Sequence, residues 1–142
     1  MDLNDTLANL TLFSDERDYS IIKLPARAIT VAAGIIAEIS DPFAVLIVDK
    51  DEVTLVMPTE LEPEFDRRIP DGASSAPPYR LITIDQELDP ELTGFLAALG
   101  RALAETGVPI LAFSAASRDH ILVPSDKYDQ AISALEKLKL QH

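Results

Sequence analysis

One hundred and forty-two residues, 47% of them apolar, suffice for one ordinary domain or two very small ones that share a core. Twelve Lys and Arg against 24 Asp and Glu leave a formal charge of −12. That balance argues against nucleic acid and anionic membranes as partners, since both are held by clustered cations. No cysteine is present, which excludes disulfides, thiolate nucleophiles and thiolate metal sites, and two histidines, His120 and His142, are too few for a histidine-rich metal centre. The acidic opening MDLNDTLANL is unlike a signal peptide, and no apolar run nears the ~20 residues of a spanning helix. The expectation is a soluble cytoplasmic protein that carries no metal or cofactor.

The stretch Leu7–Phe13 (LANLTLF) is suited to an extra edge strand. Tyr19–Leu24 (YSIIKL) predicts a strand ended by Pro25, which cannot donate to a ladder. Over Ala26–Ser40 the apolar positions Ile29, Ala32, Ala33, Ile36 and Ile39 recur at helical spacing and predict a largely buried helix. Asp41-Pro42 breaks it. Phe43–Val48 (FAVLIV) then suits a buried strand, Asp49-Lys50-Asp51 a polar turn, and Glu52–Met57 the returning strand of a hairpin. Thr59–Asp66 predicts a short acidic helix with Thr59 as N-cap. Asp66–Pro78, dense in Pro, Gly and Ser, is the best internal boundary.

Tyr79–Ile84 (YRLITI) predicts the next strand. Asp89 caps a helix with Pro90 in its first turn, and Leu92, Leu96, Leu99 and Leu103 share one face. Gly107 closes that helix and Pro109 prevents its continuation. Val108–Ser114 and His120–Val123 form a second strand pair, and a last helix opens at Pro124-Ser125 with a stripe of Tyr128, Ala131, Ile132, Leu135 and Leu138. Both halves thus run strand, helix, apolar strand, polar turn, strand. Tyr19 and Tyr79 lie 60 residues apart, Pro58 and Pro124 lie 66 apart, and so similar an offset suggests a duplication. The fold class expected is α+β: two ferredoxin-like units (βαββαβ) with antiparallel sheets and helices packed on one face. Residues 1–66 would form the first unit, 67–78 a linker and 79–142 the second.

The run GFLAALGRALAETGVPILAFSAASRDHILVPSDKYDQAISALEKL resembles the ACT domain, in the tandem branch that includes the CASTOR-like arginine sensors and small bacterial double-ACT proteins. Gly94, Val108–Ser114 and Asp119-His120-Ile121-Leu122-Val123-Pro124 carry the resemblance, which is most specific over Tyr79–Leu138 and looser over Tyr19–Pro58. One departure is Ala115, where the family has Thr. The resemblance implies a regulatory binding module and not an enzyme, with an amino acid held where the two units meet. It also implies pairing with a second copy of the chain or with a protein partner. Carried over by residue, Gly94 is the loop glycine beside the ligand, Ser114 and Ala115 the strand end, and Asp119 the facing polar group. Ala26 to Ile29 are the first unit's contribution. An interaction or oligomerisation module that has the fold without the ligand is the alternative, and Ala115 favours it.

Each candidate also has a purely structural account. Gly94 suits close approach of an α-carboxylate to a helix N-terminus, or close packing of helix on strand. Asp119 suits a charge-assisted bond to an ammonium group, or stabilisation of its own turn. Ser114, Ser117, Asp119 and His120 do not make a catalytic triad, because neighbouring strand residues point to opposite faces and no Gly-x-Ser-x-Gly elbow is present. The acidic run Glu60, Glu62, Glu64, Asp66 lacks the pattern of a calcium loop and predicts a solvated surface.

Overall fold

The computed structural model describes residues 2–39 and 43–142. In chain order the elements are α1 (Leu3–Ala8), β1 (Leu12–Phe13), β2 (Asp18–Pro25), α2 (Ile29–Glu38), β3 (Val45–Val48), β4 (Glu52–Pro58), α3 (Glu62–Phe65), β5 (Ala73–Ser74), β6 (Tyr79–Ile84), α4 (Phe95–Glu105), β7 (Leu111–Ser114), β8 (Asp119–Pro124) and α5 (Tyr128–Leu140). They form two compact units, Arg17–Tyr79 and Met1–Glu16 with Arg80–His142. The expected end of the first helix at Ser40 and the Asp41-Pro42 break lie outside the described residues.

The unit Arg17–Tyr79 runs β2-α2-β3-β4-α3-β5, with sheet order β3-β4-β2-β5. The β2–β4 pair is antiparallel, from Tyr19 opposite Pro58 to Pro25 opposite Glu52. Alternation sends Ile22 and Leu24 of β2, and Val53, Leu55 and Met57 of β4, to one face, where they pack with Ala32 and Ile35 of α2 and with Phe65. The β3–β4 turn is held by the Asp49 carboxylate, which accepts the N–H groups of Asp51 (2.8 Å) and Glu52 (2.9 Å). Those two bonds hold its carboxyl below the usual range.

Proline sets where helices start. β2, β4 and β8 each end in Pro, at Pro25, Pro58 and Pro124, with φ of −65°, −54° and −53°. A residue with no N–H cannot extend the ladder, and its fixed φ already suits the 3₁₀ turn that follows. Each of those turns then widens into α2, α3 or α5.

The other unit has sheet order β1-β6-β8-β7. Its chain order is β6-α4-β7-β8-α5, and the fourth strand comes from the start of the polypeptide. Leu12 of β1 lies opposite Ile84 of β6, and Phe13 opposite Thr83, in an antiparallel pair. The core joins Ile82, Ile84, Ile121 and Val123 of the sheet with Phe95, Leu99 and Leu103 of α4, Ala131 and Leu135 of α5, and Leu7 and Leu10 from the N-terminus. Both units therefore have the α+β, ferredoxin-like arrangement expected, with helices on one face.

Several local expectations differ from the structure. Leu7–Phe13 is not strand throughout: helix α1 precedes a two-residue strand. Thr59 does not cap α3; its hydroxyl lies 2.9 Å from that of Ser20, and no side chain caps the turn. Within 67–78, expected as linker, Ala73 and Ser74 pair with Lys23 and Ile22 of β2. Residues 1–16 group with the C-terminal unit and not with 17–66. Such pairings join chain segments fifty or more residues apart, beyond the reach of local periodicity.

A cleft beside the start of helix α4

The step from β6 to α4 breaks the proline pattern. In place of Pro and a 3₁₀ turn, the chain takes ten residues, Asp85 to Gly94. This connection is tied to the β7–β8 turn by the Leu88 N–H, which donates to the Ser117 carbonyl (2.8 Å), and by Arg118 Nε, which donates to Asp85 Oδ1 (3.3 Å). Asp89 Oδ1 accepts the Glu91 N–H (2.9 Å), and the Leu92 N–H reaches the Asp89 carbonyl (3.0 Å). Asp89-Pro90 thus makes a turn, whereas the sequence predicted a helix start there.

Helix α4 begins only at Phe95, capped by Gly94 at φ +83° and ψ −4°. That left-handed conformation is one glycine adopts without penalty, and no side chain supplies a cap. The first helical bond runs from the Ala98 N–H to the Gly94 carbonyl (2.9 Å). The N–H groups of Phe95, Leu96 and Ala97 therefore have no partner within the helix.

Between the connection, the start of α4 and the β7–β8 turn lies a cleft of about 410 Å³, within the range of small-molecule sites. Gly94, Ser114, Ala115 and Asp119 all line it. Ser114 and Asp119 are opposite one another in the β7–β8 ladder. Asp119 shares the strand face of Ile121 and Val123, the face that carries the helices, and its carboxylate is half-buried. Ala26 and Ile29 are not brought to this cleft. They belong to the other unit, where Ala26 opens the 3₁₀ turn after Pro25 and Ile29, 43% exposed, starts α2.

Sequence reasoning did not single out Leu88, Leu92, Leu96, Ala97 and Ala116 as lining residues, nor Arg118. Leu92 and Leu96 were legible only as part of the α4 stripe, and no motif marks the others. Among the described residues there is no group of three or more acidic or His side chains that could hold a metal ion. Nor is any helix among them long and apolar enough to cross a membrane.

His120 points to the opposite face of β8 from Asp119, and its Nδ1 lies 2.9 Å from Thr83 Oγ1. Burial holds its imidazole below the usual 6.5, Asp119 works against that shift, and Arg118 adds to it. The folded state thus favours the neutral ring, so His120 contributes stability above pH ~6.5 that is lost as pH falls through that value towards its lowered pKa. Urea midpoints at pH 7.5, 6.5 and 5.5 should show the wild type's lead over His120→Asn shrinking as pH falls. Parallel trends would remove His120 from the pH response.

Residues 74–137 match the family model of the ACT domain, a span that takes in every residue lining the cleft. Among solved structures, Atu0741 from Agobacterium tumefaciens is similar with a TM-score of 0.72 and 22% identity, over 92% of this chain and 89% of that one. VC0802, a protein of unknown function from Vibrio cholerae, is similar with a TM-score of 0.72 and 23% identity, over 97% and 96%. The ligand-free regulatory subunit of aspartate kinase from Thermus thermophilus is similar with a TM-score of 0.63 and 15% identity, over 91% and 98%. At these identities the likeness is one of fold. No curated protein matches the chain.

Proposed function

We propose that this chain is an amino-acid-binding regulatory protein of the ACT type and not an enzyme, with its ligand in the cleft beside Gly94. One observation carries the proposal: a single cleft is lined both by Gly94 to Ala97, the start of α4, where no side chain caps the helix, and by Asp119. Among the described residues that carboxylate makes no hydrogen bond or ion pair. Helix N–H groups and the dipole favour an α-carboxylate, and a carboxylate lining the same cleft favours an α-ammonium. Binding would shift a conformational or association equilibrium through its differential affinity for the two states. The aspartate kinase regulatory subunit supports the reading by its name as well as its fold.

Thermal denaturation of the full chain with each of the twenty amino acids tests the proposal. A ligand at a hundred times its dissociation constant adds about 2.7 kcal/mol. Asp119→Ala should melt like the wild type without ligand and lose most of that increment. No response at millimolar concentration to any of the twenty would sink it.

A second reading, an interaction or oligomerisation module, is favoured by β3, where Ile47 and Val48 are 41% and 50% exposed on the strand that ends the sheet path. On that reading Asp119→Ala is silent, and Ile47→Lys changes the sedimentation coefficient.

A further inference from the structure

We infer that the cleft selects amino acids with an uncharged aliphatic side chain, an inference that rests on the amino-acid reading above. The charges lining the cleft are three: Asp89, Arg118 and Asp119. Arg118 donates through Nε to Asp85 in an exposed pair, and Asp89 lies exposed with Oδ1 already accepting the Glu91 N–H. Asp119 is the one half-buried charge left for the ligand, and the α-ammonium takes it. Ser114, opposite Asp119 in the ladder, puts its hydroxyl on that same side. The α-carboxylate takes the N–H groups of α4.

What the lining leaves for the side chain is Leu88 and Leu92 of the connection, Leu96 and Ala97 of α4, and Ala115 and Ala116 of the β7–β8 turn. An anionic side chain would meet Asp89 and Asp119 in the lining, against a single lining cation, Arg118, that already donates to Asp85. A cationic one would give up hydration against these leucine and alanine side chains without a buried partner. An aliphatic one gains from every methylene removed from water, by about fourfold in affinity for each.

Isothermal titration of the full chain with L-leucine, L-alanine, L-lysine and L-aspartate separates this inference from the reading beneath it. Leucine should bind tightest, with alanine weaker by well over tenfold. Ala116→Glu, in an exposed turn where the fold tolerates it, should erase the advantage of leucine over alanine while its melting curve without ligand stays put. Lysine or aspartate binding more tightly than leucine, or leucine no better than alanine, overturns the selectivity and leaves the amino-acid reading standing. Absence of binding by all four overturns the selectivity, and the twenty-residue screen then decides the broader reading.

Discussion

A chain lacking residues 1–16 is expected to lose the cooperative folding of its C-terminal unit. Leu7 and Leu10 are 1% and 2% exposed within the core built on α4, α5, β6 and β8, and Leu3 and Leu12 pack against it. Burial of this kind is lost at roughly 2–5 kcal/mol per leucine. Two such losses rival the roughly 5–15 kcal/mol by which a whole domain is stable. The deletion also strips β1 from β6, uncovering the backbone of Thr83 and Ile84 that it pairs. Three further ties go with it: the Thr11 N–H to Gln86 Oε1 (2.8 Å), the Asp85 N–H to the Thr11 carbonyl (2.7 Å), and Gln86 Nε2 to the Thr6 carbonyl (3.2 Å). Heteronuclear NMR of the truncated chain should show collapsed dispersion for residues 80–142. The milder Leu7→Ala should lower the melting temperature by roughly 5–15 °C. Had residues 1–66 formed the first unit, the deletion would spare 80–142, and a well-dispersed spectrum there would restore that division.

The sequence supplied the N-terminal helix more clearly than its apolar alternation suggested. Asp2 stands at the N-cap, where its Oδ1 accepts the Asp5 N–H (2.8 Å), and Leu3, Leu7 and Leu10 follow at i, i+4 and i+7. What local pattern could not supply is the pairing of Leu12 and Phe13 with a strand some seventy residues on. The three proline junctions were legible because their cause is local: a missing N–H and a fixed φ. The start of α4 was not. Leu92 continues the spacing of Leu96, Leu99 and Leu103 backwards, and Asp89-Pro90 has the composition of a helix start, so periodicity alone runs the helix through Gly94. β5 was hidden for a different reason. Its two residues are small and exposed, and the chain reaches β2 because Gly72 has no Cβ: one there would lie 3.0 Å from Ile22 Cγ2 and 3.1 Å from the Ile69 carbonyl. In the candidate site, the polar residues Ser114 and Asp119 came from the family resemblance. The aliphatic wall came only from the fold, because leucines that line a cleft have the same spacing as leucines that fill a core.

Gly94→Val should cost at least about 2 kcal/mol, while Gly107→Ala should cost only about 1 kcal/mol. Both glycines have positive φ, +83° and +75°. An L-residue in that region loses roughly 1–2 kcal/mol, and a β-branched one is more strained still. The surroundings differ. A Cβ at position 107 meets nothing within 4 Å, whereas one at 94 lies 3.3 Å from Leu3 Cδ2, so the Leu3 side chain must shift before the larger side chain fits. Leu3 in turn packs on the core that Leu7 and Leu10 complete, so strain at the mouth of the cleft passes into the segment on which the unit depends. Urea denaturation of the two variants measures the difference, and Gly94→Ala, without the branched side chain, should fall between them. Equal midpoints for Gly94→Val and Gly107→Ala would mean that α1 yields freely, and that backbone conformation alone explains glycine at the helix cap. A gap of about 1 kcal/mol or more between Gly94→Ala and Gly107→Ala, which put the same side chain at positive φ, would mean that Leu3 is held firmly against position 94, so that the cleft's edge and the N-terminal helix are built as one piece.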